Sequence, residues 1–200
     1  MKKQKINSIK VVTRVTLAVT LLAFAACSSK QENTTVENGQ DKVSKTSIKP
    51  PNMDIHTATL MGNLEAIKQH IKAGSDLNIK EPAVGSTPLI TAAVFGKTEI
   101  AKALIEAGAD VNYKNNQGST ALHSASFLCR TEIVESLLNN GADKNIKNNF
   151  GSTALESVAA PFNIVKAIYD QFNKDLGPMG LKLDYEKIEK TRPRIAEMLR

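Results

Sequence analysis

The chain has 200 residues, 42% of them apolar, with no Trp and only 4% aromatic residues. That composition disfavours a core built on large rings and leaves one of Ala, Leu, Ile and Val. The formal net charge is +6, yet five of the 26 basic residues and none of the 20 acidic ones fall within residues 1–26; beyond them 21 bases face 20 acids, and no nucleic-acid partner is expected.

The first fourteen residues form a polar head carrying Lys2, Lys3, Lys5, Lys10 and Arg14, followed by an apolar run, Val15–Ala26. As a helix that run spans about 18 Å, short of the ~30 Å bilayer core, so it reads as an export signal rather than a membrane span. It ends Phe24-Ala25-Ala26-Cys27. Small residues directly before a cysteine resemble the site read by bacterial lipoprotein signal peptidase, although Phe24 stands where Leu is usual. The resemblance implies cleavage after residue 26 and acylation (palmitate among the chains) of Cys27. An ordinary signal peptide followed by an incidental cysteine is the alternative. Ser28 and Ser29 follow without the Asp associated with inner-membrane retention. By that analogy the protein is expected at the outer membrane, facing the periplasm, touching the membrane only through the lipid on Cys27.

Residues 27–50 are Ser, Thr, Lys, Asn, Gln and Glu with few apolar side chains. Such a segment cannot bury enough surface to offset its chain entropy and is expected to be a disordered tether with a reach of roughly 25–30 Å. With Cys27 acylated, Cys129 has no second cysteine to pair with.

From residue 51 to 200 the sequence repeats itself. Gly85-Ser86-Thr87, Gly118-Ser119-Thr120 and Gly151-Ser152-Thr153 recur every 33 residues, and Leu89, Leu122 and Leu155 share one phase. In step with them run Gly74-Ser75-Asp76, Gly108-Ala109-Asp110 and Gly141-Ala142-Asp143, each followed two residues on by Asn78, Asn112 or Asn145. Thr87 suits a helix N-cap with Pro88 in the first turn, and Leu89, Ala92 and Ala93 line one face of a short helix. A second helix in each unit carries Ile100, Ala101, Leu104 and Ile105, then Ile133, Val134, Leu137 and Leu138, then Ile164, Val165, Ile168 and Tyr169. Gly108 and Gly141 mark its end, and a polar hairpin leads to the next unit.

Together these residues resemble the ankyrin repeat. Gly85-Ser86-Thr87-Pro88-Leu89-Ile90-Thr91-Ala92-Ala93, and Glu99-Ile100 through Val111-Asn112, follow its signature most closely. The resemblance implies an all-α solenoid of helix-turn-helix units joined by β-hairpin loops, with about four repeats and a truncated C-terminal cap. The first unit, about 51–84, keeps His56, Ala58, Gly62-Asn63 and Gly74. The fourth loses about two residues near Pro161, and Ile195-Ala196-Glu197-Met198-Leu199 after Pro193 reads as a fifth, truncated unit. Degenerate ends are expected of a solenoid, whose inner units expose apolar faces only to one another.

Ankyrin domains bind proteins through hairpin tips and the concave face of the first helices. By alignment, the pairs Leu60-Met61, Val94-Phe95 and Phe127-Leu128 fall on that face and form an apolar stripe, the expected partner-binding site together with Tyr113 and Phe150 near the tips. Packing of some of these residues beneath the adjacent hairpin is the alternative. The stripe reading expects Phe95→Glu with Phe127→Glu to abolish partner capture without unfolding the chain.

The resemblance gives His56 and His123 a structural hydrogen-bonding role. Two repeats apart, they should lie roughly 20 Å from each other, too far to share a metal ion. His70 reads as packing. Cys129 replaces a family glycine and reads as buried, inert sulfur rather than a redox thiol, and the Gly177–Gly180 stretch as a surface loop. No phosphate loop, nucleophile elbow or metal-ligand spacing is present. The expectation is a monomeric, non-enzymatic protein-binding module without cofactor. The alternatives are an immunity-type inhibitor of a periplasmic toxin and, less favoured, an enzyme.

Overall fold

The computed structural model describes residues 49–200. The expected export segment, Cys27 and the expected tether as far as residue 48 lie outside the described residues. The helices in chain order are α1 (Ile55–Met61), α2 (Leu64–Lys72), α3 (Pro88–Phe95), α4 (Thr98–Glu106), α5 (Ala121–Phe127), α6 (Thr131–Asn139), α7 (Ala154–Ala159), α8 (Phe162–Leu176) and α9 (Tyr185–Met198). The short turn Gly177–Met179 is a 3-10 helix, and no strand occurs among the described residues.

Local chemistry sets the starts of the inner helices. Asp54 accepts the amides of His56 and Thr57 at 3.0 and 2.9 Å, and Thr87 caps Ile90 N at 3.3 Å with Pro88 in the first turn. Thr153 and Glu156 close a reciprocal capping box on α7. α1, α3, α5 and α7 then pack side by side as an inner layer, and α2, α4 and α6 as an outer one. Ala58, Ala92, Ala93, Ala121 and Ala125 are fully buried in the inner layer; Ile67, Leu104, Ile133 and Leu137 fill the outer one. Alanine at the contacts lets short helices approach closely without large side chains.

The inner helix of each of the first three units turns onto its outer partner through a left-handed residue: Gly62 at φ 77°, Gly96 at φ 65° and, in the third copy, Cys129 at φ 53°. A side chain in that conformation costs roughly 1–2 kcal/mol.

The recurring sequence signals find their reasons between units. Asn78 Oδ1 accepts Asp110 N and Asn112 Oδ1 accepts Asp143 N, each at 2.8 Å, so the periodic Asp-x-Asn stitches one turn to the next. The hairpin-shaped tips are closed by single pairs of backbone bonds, such as Asn115 N to Ser119 O at 3.0 Å and Gly118 N to Asn115 O at 2.9 Å. Adjacent tips are joined by Asn116 N to Val84 O and Asn149 N to Gln117 O. Gly85, Gly118 and Gly151 share a left-handed backbone, at φ 69°, 71° and 76°, and at the first two a Cβ would also collide with the side chains of Asn116 and Asn149, which explains the repeated glycine.

The fourth unit departs from expectation. Ala160 and Pro161 are both extended, with ψ of 144° and 141°, where the earlier units make their left-handed corner. Proline favours that conformation in the residue before it. The chain therefore does not fold back onto the outer layer, and α8, carrying Val165, Ile168 and Tyr169, is not the outer helix of this unit. α9 takes that place, packing on α5, α6 and α7 with Ile188, Ile195, Ala196 and Leu199 buried. Residues 195–199 are thus the end of the fourth unit's outer helix rather than a fifth unit. Pro193 lies inside α9, not at its start.

Candidate functional site

Displaced from the outer layer, α8 lies across the concave side. Its Val165, Ile168, Phe172 and Leu176 line one wall of a cleft whose opposite wall is Ile90 and Val94 of α3, His123, Ser124 and Phe127 of α5, and Ser157 of α7. Asn115, Gln117, Asn148 and Phe150 from the hairpin tips form the rim. The cleft encloses about 240 Å3 and its wall is mainly apolar.

Aromatic contacts hold α8 against the inner layer. The Phe127 ring stacks on Tyr169 with centroids 4.5 Å apart and planes within 11°; Phe172 tilts against Phe127 at 5.7 Å. The Tyr169 hydroxyl donates to the Phe127 carbonyl at 2.5 Å and accepts from Arg192 Nη1 at 2.6 Å. Arg192 Nη2 donates to the Ala160 carbonyl at 2.7 Å. Arg192 is only 4% exposed, and its charge is spread over oxygen acceptors and the Tyr169 ring face, 5.8 Å away. Burial pushes the Tyr169 hydroxyl well above the usual phenol range, although Arg192 pulls the other way.

His123 forms part of the wall and of the scaffold. Its Nδ1 accepts the Thr120 amide at 3.3 Å, which leaves Nε2–H to donate to the Ser152 carbonyl at 3.1 Å, linking the third and fourth units. Burial lowers its pKa, and the ring is neutral at pH 7. His70 is likewise tied, between Ser75 Oγ and the Met53 carbonyl. The Cys129 thiol faces the Ile188 carbonyl at 3.6 Å. Burial pushes its pKa up to about 11, against the pull of Arg192 and Arg130. No group of three or more His, Cys, Asp or Glu side chains among the described residues is placed to hold a metal ion.

Of the residues singled out from sequence, Val94, Phe127, Leu128 and Phe150 meet in this cleft. Leu128 is only 2% exposed and belongs largely to the core. Leu60 and Phe95 are half-buried and Met61 is 69% exposed, all outside the cleft. Tyr113 is half-buried beneath the Lys80 ammonium, 5.1 Å from the ring centre, and also lies away from it. The stripe is therefore divided. Missing from the sequence reading were the whole α8 wall and two carboxylates, Glu156 and Asp175. Pro161 was the available signal for the first.

The fold defines a helical repeat solenoid with a cleft on its concave side. Residues 55–148 match the family model for ankyrin repeats, in three copies, and this stretch of the chain is an ankyrin-repeat array. The match ends before α7, α8 and α9. Ankyrin repeats are protein–protein interaction modules and typically non-catalytic. Comparison with curated proteins gives no match.

Proposed function

We propose that the chain is an exported bacterial lipoprotein, acylated at Cys27 and held at the outer membrane facing the periplasm, whose ankyrin repeats dock a segment of a protein partner. The cleft between α8 and the inner helices carries the docking part of this reading: an apolar, concave surface framed by polar tip residues suits a short anchoring segment. The basic head, the apolar run and Ala25-Ala26-Cys27 support the anchor. A toxin-neutralising role is a narrower form of the same reading, separated from it by the identity of the partner.

A photo-crosslinking amino acid in place of Ser124, on the cleft wall, should yield a discrete adduct in cells producing the full chain. The adduct should disappear with Phe172→Glu, and equally with Val94→Glu, a cleft residue outside the aromatic contacts that hold α8. Labelled palmitate should enter the wild type but not Cys27→Ser. Adducts indifferent to Phe172→Glu would overturn the docking site, and equal labelling of both chains would overturn the anchor.

A further inference from the structure

The cleft has a chemistry of its own beyond being apolar. Its volume of about 240 Å3 falls below the roughly 300–1,000 Å3 of small-molecule sites. The cleft is partly open to solvent and has room for one or two side chains of a docking segment. Ile90, Val94, Phe127, Val165, Ile168 and Phe172 surround that space.

The ionisable groups of the wall are unbalanced. Among the described residues Glu156 and Asp175 line the cleft, whereas no Lys or Arg does, and burial disfavours a charge on His123. Glu156 is exposed and spends one oxygen on the Thr153 amide. Asp175 Oδ1 accepts from Gln171 Nε2 at 2.7 Å, while Oδ2 is buried without a hydrogen-bond partner among the described residues. Asp175 is half-buried and lines the cleft, so a cation arriving beside an apolar group can pair with its carboxylate in a partly water-excluded setting.

We infer that the cleft selects a partner segment in which a bulky apolar side chain enters the space beside the Phe127–Phe172 ring pair, among Ile90, Val94, Val165 and Ile168, and an adjacent lysine or arginine meets Asp175. The inference rests on the protein-partner reading above and names the sequence chemistry of that partner. Charge complementarity selects a basic neighbour and disfavours an acidic one.

The test uses the full chain and three capped tetrapeptides, Gly-Phe-Lys-Gly, Gly-Phe-Glu-Gly and Gly-Ala-Lys-Gly, titrated by NMR. The Phe-Lys peptide should shift the amides of α5 and α8 and bind at least ten times more tightly than either of the others. Asp175→Asn should keep binding of the Phe-Lys peptide but remove its advantage over Phe-Glu. Equal affinity for Phe-Lys and Phe-Glu, shifts confined to the hairpin tips, or ethylbenzene binding as tightly as the Phe-Lys peptide would each overturn the inference. A crosslinked adduct sensitive to Phe172→Glu, with no charge preference among the peptides, would defeat this inference while leaving the docking reading intact; an adduct insensitive to that substitution would defeat the docking reading itself.

Discussion

The Tyr169 hydroxyl stands between the Arg192 guanidinium, 2.6 Å away on α9, and the Phe127 carbonyl, 2.5 Å away at the end of α5. One phenol thereby fastens the displaced helix to both layers of the solenoid. Few of the other polar contacts of α8 reach so far along the chain, which makes this the natural place to loosen it.

Tyr169→Phe keeps the ring stacked on Phe127 but strands a buried carbonyl and one guanidinium N–H. Loss of a hydrogen bond to a charged group costs about 1.5–3 kcal/mol. Urea unfolding should show a loss in that range, and amide exchange should quicken in α8 more than in α3 and α4. Unchanged exchange in α8 would mean that apolar packing alone holds it.

Phe127 is both a cleft wall and a packing element, so a charge there does more than block binding. Phe127→Glu loses the stacking with Tyr169 and the contact with Phe172, at a cost of about 2–4 kcal/mol. Phe95→Glu, outside the cleft, should cost less in the same denaturation series. The two changes together therefore make a poor test of binding, because the pair is expected to weaken the fold. Equal costs for the two would contradict the division of the stripe.

At Cys129 the backbone is left-handed. Cys129→Gly and Cys129→Ala both remove the sulfur, but only glycine occupies φ 53° without a steric penalty. The glycine variant should be more stable than the alanine variant by about 1 kcal/mol. In a Cys27→Ser background, the thiol with its pKa raised to about 11 should alkylate far more slowly at pH 8 than a free cysteine, and at the ordinary rate in denaturant. Fast labelling of the native chain would refute burial.

Burial lowers the pKa values of His56 and His123 below the usual 6.5. The unfolded chain then binds protons first, and stability present above pH 6.5 is lost as pH falls through the interval down to the folded values. The melting temperature should drop between pH 7 and 5.5, with a shallower slope in His123→Gln and a shallower one again when His56→Gln is added. Asp54 adds a separate loss at lower pH, since its carboxyl is held below the ordinary value by hydrogen bonds that outweigh its burial. A pH-independent melting temperature above pH 5.5 would contradict the histidine effect.

Much of this architecture was legible in the residues. A 33-residue period with Leu89, Leu122 and Leu155 in one phase specifies which faces stack, and the Asp-x-Asn and Gly-Ser-Thr signals mark turns that bond to their neighbours. Those are local or nearest-neighbour constraints, and a repeating chain writes them repeatedly. Part of the cleft was legible as well, through Val94, Phe127, Leu128 and Phe150.

The position of α8 was decided only in three dimensions. Its Ile164, Val165, Ile168 and Tyr169 carry the spacing of an outer helix, and periodicity states that a face is apolar without saying which layer buries it. Ile188, Ile195 and Leu199 of α9 fit the same slot, and the extended Ala160-Pro161 corner removed the turn that would have given it to α8. Two segments competed for one groove, and the outcome depended on packing between residues far apart along the chain. That competition also brought Asp175 and Phe127 to line one cleft, a pairing no linear pattern encodes.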